Sequence, residues 1–462
     1  MKDESTLLLP CEPQEERQEA QYTVALARHR TVDWPKLLVA AAWLAAFLIM
    51  ALVLTPRPDW PVGWDAQVYW KAVVNSCTVG DPYAPGLAAQ AKFHAEMHAN
   101  RDPKPFSYVY GPVTVPLLRL LGRFPASLVA VLFAAAMLAG VGLTLRSGWL
   151  MAKATERAWL RYLLPFTVFF PGLLATDAVR GFNVAFALYG PILAASVRGV
   201  RRGKWMWFYV AVLVAGIVKP PLLTLLAFPV IAGRRQWIPA ASVGSAGVLV
   251  FASQAWLWPK LFSEYLLAVR LQFDWYSFFG LGPAGLLAEE LHDAHRPYDL
   301  PSTVFYVVFA VVMLATMLAM KSWCERKTIP WQDWIPMVWM GTMLLNPRLQ
   351  DYDLAAITIP MLLAAWRMTR YVVHLGRGAK MDEQWQNWPD PALVLAGLGW
   401  FVAFNIIATQ VDCETTELGV LLGLFILSVC WLRFARPDEP AVDAQRYVEA
   451  DAATRFTHAA AL

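Results

Sequence analysis

Charge is what this chain has least of: Asp, Glu, Lys and Arg make up 16% of its 462 residues, against about 25% in ordinary soluble domains. With 58% hydrophobic residues beside that shortage, a soluble enzyme is excluded. The 5 cysteines (Cys11, Cys77, Cys324, Cys413 and Cys430) have no framework spacing, so a disulfide scaffold is excluded too. No His or Cys cluster stands at metal-ligand spacing, and none of the residues is assigned to a metal. A phosphate-binding Gly-Lys-Ser/Thr loop and a dinucleotide fingerprint are both missing, which argues against direct use of a nucleotide. A net charge of +4 is too small at this length to imply nucleic acid. There is no internal repeat, which removes one pointer to a transporter.

What the chain has instead is 22 Trp and apolar runs that match the thickness of a bilayer core. Twelve candidates follow one another at 37–54, 125–145, 160–176, 181–197, 205–218, 220–233, 238–257, 301–320, 332–346, 353–373, 391–410 and 417–434. The expected fold is therefore all-α: a polytopic integral membrane protein of about 12 transmembrane helices. Residues 1–36 lack the features of a secretory signal and read as a polar cytoplasmic tail. The stretch 37–434 is the membrane domain, and 435–462 is a second polar tail.

Two stretches are ambiguous, and charge arbitrates between them. If 106–122 stays at one surface and 205–233 crosses twice around Lys219-Pro220-Pro221, two thirds of the 39 Lys and Arg share a side with both tails. The positive-inside rule then places both termini in the cytoplasm of a cell with a plasma or inner membrane. Two long outer segments result, 55–124 and 258–300. Their mixture of aromatics, prolines and short apolar stretches reads as surface-lying amphipathic helices rather than a folded ectodomain. Cys77 and Cys413 would alone face outside, and two unpaired thiols are favoured over a bridge.

On this topology one compartment faces Asp65 in GWDAQVYW, Asp177 and Arg180 in TDAVRGFN, Lys219 in VKPP, Arg270, and Arg348, Asp351 and Asp353 in NPRLQDYD. Ionisable groups beside apolar segments are costly unless water or a partner meets them, so each is a candidate. Arg270, His94 and His98 read more simply as interfacial side chains that reach water by snorkelling. Lys219 is harder to dismiss. The segments on either side of it are only about 14 residues, roughly 21 Å of helix, short of a core of about 30 Å. It should therefore line a cavity below the outer surface. Asp65, among Trp64, Tyr69 and Trp70, has surroundings that could tune a carboxylate as a general base. The D-x-D pattern of Asp351 and Asp353 is a weak metal signal that arises easily by chance.

The order of these elements resembles the C-type glycosyltransferase superfamily, and within it the polyprenyl-phosphate-sugar-dependent glycosyltransferase family 87, which includes bacterial α-mannosyltransferases. The resemblance runs over residues 37–375 through GWDAQVYW, YVYGPVTVPLLRLLG, RGFNVAFALYGPIL, RGVRRGK, GIVKPPLLTLL and NPRLQDYDL. It departs at Gly181-Phe182-Asn183, where relatives often carry glycine-glutamine before the asparagine. The resemblance implies single-displacement transfer of a sugar, mannose or a similar hexose or pentose, from a polyprenyl-phosphate donor to the hydroxyl of a glycolipid, glycan or protein acceptor. It needs no cofactor. Asp65 would be the catalytic base, and Lys219 and Arg348 would hold the leaving phosphate. Arg180, Asn183, Tyr110 and Asp351 would complete the substrate site. The main rival is a transporter or flippase of an anionic lipid-linked or small substrate, in which the same charges would bind the cargo.

Overall fold

In the computed structural model, most of residues 63–96, 105–157, 178–276, 279–377 and 413–435 are described, with a few positions between 37 and 51. Every regular element among them is helical and no strand occurs. Among the described residues, three helices are long and apolar enough to cross a membrane: α4 (Ala126–Met151), α8 (Trp237–Leu257) and α11 (Asp299–Arg326). They turn much of their apolar surface outward, as Leu138, Leu249, Trp256 and Val311 show. Such broad exposed apolar surface is what lipid covers. The expected spans at 160–176 and 391–410, and most of 37–54, lie outside the described residues.

The chain between residues 205 and 236 folds back on itself. Helix α6 (Met206–Val218) runs to Lys219, and a 3-10 turn (Pro220–Leu226) followed by α7 (Ala227–Ala232) returns alongside it. Consecutive prolines supply no amide donors, so the α-helical ladder breaks there. The Trp205 and Phe228 rings lie 6.1 Å apart, and the Tyr209 hydroxyl donates to the Gln236 carbonyl at 3.2 Å. Lys219 therefore sits at the apex of a hairpin whose ends meet.

Helix α4 is the reference wall. Gly140 on α4 and Gly190 on α5 (Ala185–Arg202) bring two backbones into direct contact. A Cβ at Gly140 would fall 2.1 Å from the Phe186 carbonyl, and one at Gly190 would fall 2.4 Å from the Gly140 carbonyl. Past α12 (Trp331–Leu344) and a 3-10 turn (Asp351–Ala356), α13 (Thr358–Arg377) runs alongside α4 in the same direction. Tyr352 and Val141 share a small cluster with Phe186 and Ala355. Further along, Ile359 fills the space over Gly148, and Arg367 reaches Glu156. The main core, centred on α12, carries the fully buried Trp339, Phe228, Tyr189 and Leu222.

The outer segments are helical, with α1 (Trp64–Thr78), α2 (Ala84–Ala95), α3 (Val115–Leu121), α9 (Pro259–Tyr276) and α10 (Pro283–Asp293). They pack on one another. Ala72, Val73, Tyr83, Tyr108, Leu118 and Tyr265 build a second core shared by the two segments. The physical reason is that the tyrosines have partners at both ends: Tyr83 is fully buried and its hydroxyl donates to the Tyr110 carbonyl at 2.5 Å, while Tyr108 meets the Thr114 hydroxyl at 2.8 Å. Helix α3 has 7 residues, about 10 Å at 1.5 Å per residue, too short to cross a bilayer core. Helix α14 (Cys413–Cys430) and a π-helical turn (Trp431–Ala435) close the described chain.

Candidate functional site

The start of α1 is hung on the loop before α5. The Gly63 amide donates to the Arg180 carbonyl at 2.7 Å and the Asp65 amide to the Gly181 carbonyl at 3.1 Å. Phe182 holds a left-handed backbone (φ 52°), uncommon for a residue with a side chain. Its ring lies over Gly63. Behind it, the Asn183 amide returns to the Ala178 carbonyl at 3.0 Å.

This turn sets Asn183 between two tasks. Its Oδ1 accepts the Ala185 amide at 2.9 Å, in the manner of a helix cap. Its Nδ2 donates to Oδ2 of Asp65 at 2.6 Å. One side chain thus anchors α5 and orients the half-buried Asp65 carboxylate. Arg180 is itself buried at 3% exposure, and its carbonyl supports Gly63.

Lys219 reaches from the hairpin apex to Asp353, with Nζ 2.5 Å from Oδ1. The other carboxylate oxygen accepts the Gln350 amide at 3.0 Å, so both Asp353 oxygens carry protein donors. Lys219 also lies 4.6 Å from the centre of the Tyr352 ring. An ammonium has three N–H donors. Asp353 takes one, and two remain for a ligand.

Arg348 is placed by the segment after α9. Gly280, at φ 99°, lets the chain pass so close to Leu349 that a Cβ would fall 2.5 Å from the Leu349 carbonyl, and the Leu281 amide donates to that carbonyl at 2.6 Å. The Arg348 amide is held by Oδ1 of Asn346 at 3.1 Å. Its guanidinium donates to Gln272 and stacks 4.8 Å over Phe273.

These pieces share one electrostatic neighbourhood. Asp353, Arg348 and Asp65 all act on the Lys219 ammonium, and Asp65 and Asp353 both act on the Tyr110 hydroxyl. Tyr110 and Tyr69 hydroxyls meet at 3.0 Å. Of the residues singled out in the sequence, Asp65, Asn183, Tyr110, Lys219 and Arg348 thus come together. The backbone of Asp351 opens the 3-10 turn that carries Asp353, and Asp177 lies outside the described residues. Arg270 pairs with Asp274 at 3.1 Å and His94 stacks on Trp275, both away from the cluster.

The structure also adds residues that sequence reasoning missed. Gln272 is the Arg348 partner, and Tyr189 and Tyr352 join Tyr69 in lining the charges. Asp353, singled out in the sequence as an ionisable side chain beside an apolar stretch, is the buried counter-ion of Lys219.

A second ionic group lies further along the same helices. Arg367 pairs with Glu156 at 2.6 Å, both side chains 5% exposed, and Lys153 pairs with the fully buried Asp333 at 2.9 Å. From residue 353 to residue 367 the chain climbs about 21 Å at helical rise, so the two groups are distinct. Among the described residues, Cys77 is a free thiol, and no three His, Cys, Asp or Glu side chains gather as metal ligands would. Compared with known families, curated proteins and solved structures, the chain finds no match.

Proposed function

We propose that the chain is a membrane glycosyltransferase of about 12 spans, with both termini cytoplasmic, in a cell's plasma or inner membrane. It moves a sugar from a polyprenyl-phosphate carrier to an acceptor hydroxyl at the outer face. The observation that carries the reading is the meeting of a half-buried, asparagine-oriented carboxylate, Asp65, with two cations, Lys219 and Arg348, drawn from separate stretches of chain. The hairpin at Lys219 supports two crossings between residues 205 and 233.

In this reading the acceptor oxygen bonds to the anomeric carbon as its proton passes to Asp65. The bond from that carbon to the phosphate oxygen breaks, and its electron pair stays on the phosphate. General-base help of this kind contributes about 10² to 10⁴ in rate. The phosphate gains charge as it leaves, so cations already fixed in place favour the transition state over the bound donor. Arg348 offers a fork for two phosphate oxygens, and Lys219 a point charge. Asp353 keeps Lys219 aimed and neutralised until the donor arrives.

The test incubates the purified protein with a panel of polyprenyl-phosphate sugars and a glycolipid acceptor extract. Consumption of one donor with release of free polyprenyl phosphate is the expected result. Failure of every donor to turn over, with an anionic lipid-linked substrate moving across vesicles instead, would replace the enzyme with a carrier.

A further inference from the structure

Away from the Asp65 cluster, an open groove of about 410 Å³ runs between α6 and α8. Clefts of about 300–1,000 Å³ hold small molecules. Its walls are apolar, from Met206, Val210, Leu213, Pro239 and Val243, and its mouth carries Tyr209 and Gln236. Their side chains meet there, the Tyr209 hydroxyl donating to Oε1 of Gln236 at 3.0 Å.

Cations crowd the chain on either side of the lining residues Gly203 and Gln236. Arg198, Arg201, Arg202 and Lys204 surround Gly203 in the chain, and Arg234 and Arg235 precede Gln236; all six are exposed. None has a carboxylate partner among the described residues. This is unlike Lys219, Lys153 and Arg367, each of which is paired. Trp207 and Trp237, 60% and 63% exposed, flank the groove, and tryptophans of this kind settle at the level of lipid headgroups. Six exposed positive charges, close in sequence to the lining of an apolar slot and without a carboxylate partner among the described residues, complement a molecule with a negative head and a hydrocarbon tail.

We propose that this groove binds an anionic diacyl phospholipid, its phosphate among Arg201, Arg202, Arg234 and Arg235 and one acyl chain between α6 and α8. The site is independent of glycosyl transfer and requires only that α8 crosses the bilayer. Because α6 ends at Lys219, the lipid would press on the same hairpin that carries the catalytic-site cation.

Native mass spectrometry of the full chain, purified and given dioleoyl-phosphatidylglycerol, dioleoyl-phosphatidylcholine or inorganic phosphate, tests it. One phosphatidylglycerol should stay bound in preference to phosphatidylcholine. The combined variant R201Q/R202Q/R234Q/R235Q should lower that occupancy by at least about tenfold. Val243→Trp, which leaves every charge in place and fills the slot, should lower it comparably. Equal retention of both lipids, displacement of the lipid by inorganic phosphate, or full occupancy in Val243→Trp would each overturn the proposal.

Discussion

Lys219 and Asp353 stand 134 positions apart in the chain and meet at 2.5 Å, the carboxylate fully buried. Each makes the other tolerable in apolar surroundings, because an uncompensated buried charge is far costlier than the pair. Lys219→Ala should therefore lower stability by about 3–5 kcal/mol, whatever it does to turnover. Lys219→Met combined with Asp353→Leu should recover at least half of that loss while leaving transfer abolished. Thermal unfolding in detergent, measured beside activity on the same samples, separates the two effects.

Asp65→Asn preserves shape and the bond from Asn183 while removing basicity. On the proposed mechanism transfer should fall by about 10² to 10⁴ with donor binding little changed, since the base would touch the acceptor. Asn183→Asp retains a capping oxygen for Ala185 but sets a second carboxylate against Asp65, so it should lose activity while remaining folded. Binding of a labelled donor alongside single-turnover transfer would show both. Wild-type rates in Asp65→Asn would remove it as the base.

Arg348→Ala should slow turnover by more than about tenfold, as a charge-assisted bond is worth roughly 1.5–3 kcal/mol. Arg348→Lys should recover only part of it, since a lysine keeps the charge but not the fork. Equal rates in the lysine variant and the wild type would mean that a point charge suffices.

Burial raises the Glu264 carboxyl above its ordinary range, and Asp81 beside it adds to the shift. A carboxyl with a raised folded value favours the folded state while protonated, and that contribution is lost as pH climbs through the folded value. Glu264→Gln should therefore raise the unfolding temperature at pH 7, with a gain that shrinks toward pH 4. The lost attraction to exposed Lys260, at 3.6 Å, is a small offset. A gain that stays constant with pH would show that packing, and not charge, is responsible.

The hairpin sets a topological expectation. In a cysteine-free background, single cysteines at Trp205 and Gln236 should label from the cytoplasm, and one at Pro221 from outside. Labelling of Gln236 from outside would mean a single crossing.

Long apolar runs left the plainest trace: 238–257 became α8 at Trp237–Leu257, and 301–320 lies within α11 at Asp299–Arg326. Hydrophobic length is a one-dimensional property, so it can be read locally. Candidates such as Lys219 and Arg348 stood out for a related reason, an ionisable side chain among apolar neighbours. Their pairings did not. Nothing local in NPRLQDYD says that Asp353 turns to Lys219, or that an uncharged Gln272 finds Arg348. The second core was hidden because its tyrosines fall between prolines with no period, and aromatics at a bilayer surface look the same in sequence as aromatics packed on one another.

Helix α12 is buried without interruption from Trp334 to Leu344, about 16 Å at helical rise, and no ionisable side chain lies in that stretch. At one end is the Lys153–Asp333 pair, and at the other is Asn346, which holds Arg348. In an energised membrane most of the voltage falls across such a dry layer. In the proposed orientation the Asp65 cluster lies on the outer side of that layer, so its proton exchange would follow the acidity of the outer medium rather than that of the cytoplasm.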